Sequence, residues 1–256
     1  MSRCRIGWLS RWLLLSMLLC CTRAEAGLMP ERTRLVFSQG ERELSLRLAN
    51  TNPHAVVLQS WVDQGEGSQA PDTVQSALFV LPAVQRLSPQ AISQVRVLYT
   101  GEPLPTDRES VFWLNLYEIP LLPDAPPASA PRLLLGLNTQ IKVFHRPAGL
   151  ADPGPQWSDA LHFRLQWQAG QWVLVCRNDS PYFASLASLR VSDGSRELVP
   201  RVTPDQMAPP YGEQAFVLPT DDAALPWQHP RLTFQLIDDS GRSSDHVRLL
   251  IPPNLP

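Results

Sequence analysis

The stretch ASAPRLLLGLNTQIKVFHRPAG, Ala128–Gly149, decides how the chain folds. Leu133, Leu135, Leu137, Thr139, Ile141 and Val143 alternate along it, so on an extended chain they share one face. Leu134, Gly136, Asn138, Gln140, Lys142 and Phe144 share the other. An apolar row of this length is either the inner face of a β-sandwich or an edge kept open for another strand. Gly136 inside it marks a bulge or a close backbone approach. Whether a bulge turns Ile141 and Val143 away from the leucine face stays open here. Lys142 is the only lysine in the chain; every other basic residue except histidine is arginine.

Outward from this strand, short β-rich runs recur at the spacing of sandwich folds, separated by turn residues. Before it come Arg34–Ser38, Glu43–Ala49, Val56–Asp63, Phe79–Leu81, Gln85–Leu87, Gln94–Tyr99 and Ser110–Ile119. After it come Leu161–Gln168, Gln171–Arg177, Ala184–Val191, Ala215–Leu218, Arg231–Ile237 and Val247–Ile251. No run of twelve or more residues keeps the i, i+3, i+4 apolar spacing of an amphipathic helix. The 26 prolines interrupt helices and suit strands and turns. The expected fold is all-β, in two sandwiches of immunoglobulin type. The connector Pro147–Pro155, PAGLADPGP, separates them. The expected units are residues 27–147, a linker at 148–155, and residues 156–256. No internal repeat is visible at the residue level.

Residues 1–26 read as a leader. Arg3, Arg5 and Arg11 precede the apolar run Trp12–Cys21, and Ala24-Glu25-Ala26 supplies a small-x-small cleavage pattern. That run is too short to span a bilayer. Export with no membrane insertion follows as the expectation. Cleavage would remove Cys4, Cys20 and Cys21 and leave Cys176, so the exported chain could form no internal disulfide.

Composition and motifs exclude several function classes. A net charge of −2 gives no basis for nucleic-acid binding. His54, His145, His162, His229 and His246 are scattered, and no metal-ligand spacing links them. There is no G-x-S-x-G elbow, phosphate-binding glycine loop or H-E-x-x-H. The pairs Asp221-Asp222 and Asp238-Asp239 sit in turn-like contexts. No catalytic residue, metal or cofactor is expected.

Five segments, taken in order, resemble the PapD-like pilus-assembly chaperones of the chaperone–usher pathway. They are GLMPERTRLVF at the expected mature terminus, LPAVQRLSPQAISQVRV (Leu81–Val97), PTDRESVFWLNLYEIP (Pro105–Pro120), QIKVFHRP (Gln140–Pro147) and WVLVCRNDSPYF (Trp172–Phe183). The resemblance implies a boomerang of two immunoglobulin-like domains. It implies that Arg34 and Lys142 anchor a subunit's terminal carboxylate, and that Leu133, Leu135 and Leu137 fill the subunit's groove. It further assigns Arg96, Glu109 and Asp239 to a charge network between the domains. Trp61, Trp113, Leu116 and Phe144 are expected in the first core, and Leu81-Pro82 is a candidate cis bond.

The implied partners are pilin or fimbrial subunits and an outer-membrane usher, in the periplasm. The leucine edge also leaves self-association of the free protein open. Read without the resemblance, Arg34 and Lys142 could be ordinary surface residues and the leucines could be core. The alternative is then an exported two-domain adhesive or structural binding protein. An exported hydrolase lacks a nucleophile–base pair.

Overall fold

The computed structural model describes residues 27–38, 40–65, 76–121, 135–194, 196–201, 203, 205–220 and 227–251. The expected leader lies outside these residues, as does Leu133. Among the described residues the chain forms strands and no α-helix, and no helix is long and apolar enough to cross a membrane.

Nine strands make the first unit: β1 (Leu28–Pro30), β2 (Arg34–Phe37), β3 (Glu43–Asn50), β4 (Ala55–Asp63), β5 (Leu78–Leu81), β6 (Val84–Leu87), β7 (Ile92–Tyr99), β8 (Ser110–Leu121) and β9 (Leu137–His145). They form two sheets, ordered β1-β3-β7-β5 and β2-β9-β8-β4-β6. Alternation explains the layering: Leu46 and Leu48 of β3, Val95 and Val97 of β7, Leu114 and Leu116 of β8, and Ile141 and Val143 of β9 all point into one apolar core. The N-terminal segment serves both sheets, since β1 pairs with β3 while β2 pairs with β9.

The second unit contains β10 (Leu161–Gln168), β11 (Gln171–Asn178), β12 (Ala184–Asp193), β13 (Arg196–Leu198), β14 (Met207–Ala208), β15 (Gly212–Val217), β16 (Arg231–Ile237) and β17 (Ser243–Leu249). Its sheets run β10-β11-β15 and β13-β12-β16-β17, with β14 added to β12. A separate core forms around Trp172, Phe216 and Phe234. Cys176 is buried there as a free thiol, and burial pushes its pKa up to about 12. Each unit is thus a sandwich with its own core.

Three expectations from the sequence change. The last strand spans Ser243–Leu249 rather than 247–251, as its ladder with β16 runs from Ser243 to Leu249, and its apolar row Val247, Leu249 and Ile251 faces solvent instead of the core. Trp61 and Trp113 are half-buried on the outer face of the five-stranded sheet rather than in the core. Phe144 is buried but packs toward the second unit, against Phe183 at 6.1 Å between ring centres. Leu116 is in the first core, and the Leu81–Pro82 peptide is cis.

The two units share one turn device that no residue-level repeat revealed. Asn50 ends β3 and Asn178 ends β11, each followed by x-Asn/Ser-Pro. Asn50 Nδ2 donates to the carbonyls of His54 and Ser88, and Asn178 Nδ2 to those of Tyr182 and Ala208. Both side chains are fully buried, and each oxygen accepts the amide two residues on. The short polar side chain thereby satisfies carbonyls that the turn would otherwise strand.

His145 closes β9 between the rings of Phe37 and Tyr99. Its Nδ1 is buried without a hydrogen-bond partner, and burial pushes its pKa below the ordinary value of 6.5. The folded state therefore binds this proton less readily than the unfolded chain. The associated stability is fully present above pH ~6.5 and declines as pH falls through that value toward the lowered one. Urea unfolding of the protein and His145→Gln between pH 7.5 and 5 should show a steeper loss of stability in the parent than in the variant.

Candidate functional site

Strand β9 has unequal edges. On one side β8 pairs with it from Leu137 to His145 in a single unbroken register. On the other side β2 pairs with it in parallel over Lys142–His145 alone. Among the described residues no strand covers that second edge from Leu137 to Ile141. Backbone groups there face outward along an extended, preformed line.

The leucine row lies along this open stretch. Leu135 is 61% exposed and Leu137 56%, whereas Ile141 and Val143 further along the same face are buried. With no register shift between them, one apolar row passes from solvent into the core without a bulge. Gly136 is explained by its own neighbour: the Tyr117 hydroxyl stands where a Cβ would sit. The arm is tied down on the opposite face by polar groups that sequence reasoning missed. Asn138 and Gln140 donate to Asn115 Oδ1 at 2.9 and 2.8 Å, and Asn115 donates to Asp63 Oδ2 at 2.8 Å. Asn115 and Asp63 are both buried. The signal available in the sequence was the polar alternation Asn138, Gln140 opposite the apolar row.

Arg34 and Lys142 are direct neighbours across the parallel pairing of β2 and β9. Both reach toward the second unit. Arg34, 7% exposed, donates from Nη1 to the carbonyl of Ile237 at 3.2 Å and lies 3.4 Å from Ser185 Oγ. Its guanidinium stands over the Phe144 ring, and its Nε is buried without a hydrogen-bond partner. Burial lowers its pKa, opposed by the charges of Asp239, Asp238 and Glu109. Lys142 Nζ donates to Asp205 Oδ1 at 2.8 Å. Two cations therefore stand side by side where the units meet, at the point where β2 stops covering β9.

Beneath the cleft lies a charge cluster. Arg146, 1% exposed, contacts Glu109 Oε1 at 2.6 Å, Asp152 Oδ1 at 2.6 Å and Asp239 Oδ2 at 3.2 Å. Glu109 also accepts the Phe183 amide at 2.8 Å, delivered by the turn that Asn178 holds. Desolvation raises the Glu109 pKa, against the Phe183 amide and Arg146, which lower it. Desolvation would lower that of Arg146, but its bonds to Asp239 and Glu109 outweigh this and hold it above its ordinary value. Glu109 belongs to the first unit and Asp239 to the β16–β17 turn of the second. On its other side the same turn lies close to the first unit, since a Cβ on Gly241, at φ +84°, would meet Thr33 Oγ1.

Arg96 is not in this cluster. It sits on β7, on the outer face of the four-stranded sheet, and pairs with exposed Glu43 at 3.2 Å. The arginine that joins Glu109 to Asp239 is Arg146. It follows β9 directly and precedes Pro147, so the strand that carries Lys142 also delivers the buried cation at the junction.

The site thus brings together an uncovered strand edge, an exposed leucine row and two adjacent cations. Residues 27–151 match the family described as pili and flagellar-assembly chaperone, PapD N-terminal domain. Residues 156–248 match the pili assembly chaperone PapD, C-terminal domain. The chaperone protein FimC of Escherichia coli is 30% identical over 86% of this chain and 82% of its own. Chaperone protein FimB/FhaD of Bordetella pertussis is 33% identical over 66% of this chain and 70% of its own. Among solved structures, the Pseudomonas aeruginosa CupB2 chaperone superposes with TM-score 0.65 and 28% identity, covering 86% of this chain and 99% of that one. The YadV chaperone gives a TM-score of 0.70 and 26% identity, covering 87% of this chain and 99% of that one. The chain belongs to the PapD-like family of pilus-assembly chaperones.

The two arginines should respond very unequally to truncation. Arg146→Ala leaves Glu109 buried without its cation and should cost about 3–5 kcal/mol in chemical unfolding. Arg96→Ala breaks an exposed pair and should cost less than about 1 kcal/mol.

Proposed function

We propose that the protein captures pilus subunits in the periplasm by lending them strand β9, and hands them to an outer-membrane usher. The half-open edge of β9 beside Arg34 and Lys142 carries this reading. Family membership supports the subunit as partner, and the expected leader supports the compartment.

In this reading a subunit that lacks a strand exposes an apolar groove. The open edge supplies ladder hydrogen bonds, and Leu135 and Leu137, with Leu133 ahead of them, enter the groove. Burying each leucine contributes about 1.5–3 kcal/mol, before the ordering costs of association. Arg34 and Lys142 hold the subunit's terminal carboxylate, each charge-assisted hydrogen bond contributing about 1.5–3 kcal/mol. Arg offers a planar fork and Lys a point charge, so the two donor sets are complementary. Because the carboxylate sits at a fixed place, it sets the register, and a slip of one residue would turn every side chain over. Glu109, Arg146 and Asp239 keep the second unit against the first, so that the cleft exists before the subunit arrives.

Co-expression with a candidate pilin and purification from periplasm tests this. Lys142→Ala and Leu135→Asp should each lower co-purified soluble pilin by about tenfold or more, the loss expected from one buried leucine or one anchoring charge. Normal pilin recovery with both variants would remove the lent-strand reading.

A further inference from the structure

The carboxylate seat is already taken in the free protein. Lys142 Nζ holds Asp205 Oδ1 at 2.8 Å, and Asp205 comes from the second unit, between β13 and β14. We propose that Asp205 is an internal stand-in for the subunit's terminal carboxylate, displaced on capture, and that it determines which carboxylates the cleft accepts. This rests on the function proposed above.

Three observations carry it. First, Arg34 and Lys142 are direct cross-strand partners, and like charges so placed repel. Arg34 is held by neutral groups, the Ile237 carbonyl and Ser185 Oγ, so Asp205 is the anion that answers Lys142 at hydrogen-bond distance. Second, the pair is built to open. The Lys142 side chain is 25% exposed and that of Asp205 44%, in contrast to the buried Arg146–Glu109 pair. Among the described residues Lys142 is the one hydrogen-bond donor to the Asp205 carboxylate; Thr203 bonds only its backbone carbonyl. Third, Arg34 Nε is buried and unanswered, so the site has donor capacity that Asp205 does not use.

Selectivity follows from the exchange. A carboxylate arriving alone replaces one ion pair with another of similar strength and gains little. A chain terminus gains as well from strand pairing and leucine burial along β9. Asp205 therefore makes the cleft refuse stray carboxylates and accept those that bring a strand. A plain clamp between the units, the other role such a pair could serve, would have the opposite signature, since breaking it would loosen the cleft and weaken binding.

The test compares the protein with Asp205→Asn and, as a second variant, Asp205→Ser. The probes are a synthetic peptide of alternating apolar residues with a free C-terminal carboxylate, the same peptide as its C-terminal amide, and acetate. Calorimetry gives affinities. Because Lys142 is the only lysine, reductive ¹³C-methylation places a single lysine signal at the seat for NMR. Both variants should bind the carboxylate peptide more tightly, by up to about fivefold, the upper limit set by an exposed ion pair. The amide peptide should be unaffected, and acetate should shift the lysine signal in the variants but not in the parent. Unchanged or weaker binding of the carboxylate peptide by both variants overturns the stand-in role while leaving the anchoring function intact. A parent protein that binds carboxylate and amide peptides equally, or neither, overturns the anchoring reading and Asp205 with it.

Discussion

A strand has two hydrogen-bonding edges, and the structure turns on the fact that β9 fills one over its whole length and the other over four residues. The pairing with β8 makes the arm rigid. Among the described residues the brevity of β2 leaves the rest of the second edge uncovered. Everything else in the first unit supports this imbalance: Gly136 lets Tyr117 press against the arm, and Asn115 gathers Asn138 and Gln140 to hold it flat. An exposed apolar edge is ordinarily an aggregation hazard. Here it ends beside two cations, which in the proposed function set where an incoming chain stops.

The same strand continues into the junction. Within five residues β9 and its extension supply Lys142 to the cleft, Phe144 to the contact with Phe183, and Arg146 to the buried cluster. Buried ion clusters contribute little net stability, because desolvation offsets attraction. Their geometry is nevertheless demanding, since each lost member leaves a buried charge. Glu109, bonded to the Phe183 amide, and Asp239, on a turn that lies close to Thr33, join the second unit to the first through Arg146. The position of Asp205 opposite Lys142 depends on that placement.

Much of this was legible in the sequence for identifiable reasons. Period-2 alternation marked most strands, since buried and exposed positions must alternate on a pleated sheet. The connector Pro147–Pro155 marked the junction. Alternation could not tell a core row from an open edge, because Leu135 and Ile141 share a face and differ only in what lies above them. The same ambiguity displaced β17, whose apolar row faces solvent. Arg96 and Arg146 are both arginines in or beside strands, and only the topology shows that one faces water and the other Glu109. The equivalence of the Asn50 and Asn178 turns was hidden because they share two side chains rather than a sequence, and Asp205 was hidden because its partner lies 63 residues away in the other unit.

Among the described residues no strand covers the second edge of β9 from Leu137 to Ile141, and in the proposed function a subunit fills it. Residue-resolved hydrogen exchange across Leu137–His145, with and without a bound pilus subunit, addresses it most directly. The amides of 137–141 directed away from β8 should exchange rapidly in the free protein and become strongly protected on capture, and those of 142–145 directed toward β2 should be protected in both states. Protection of 137–141 in the free protein, or its absence in the complex, would contradict it.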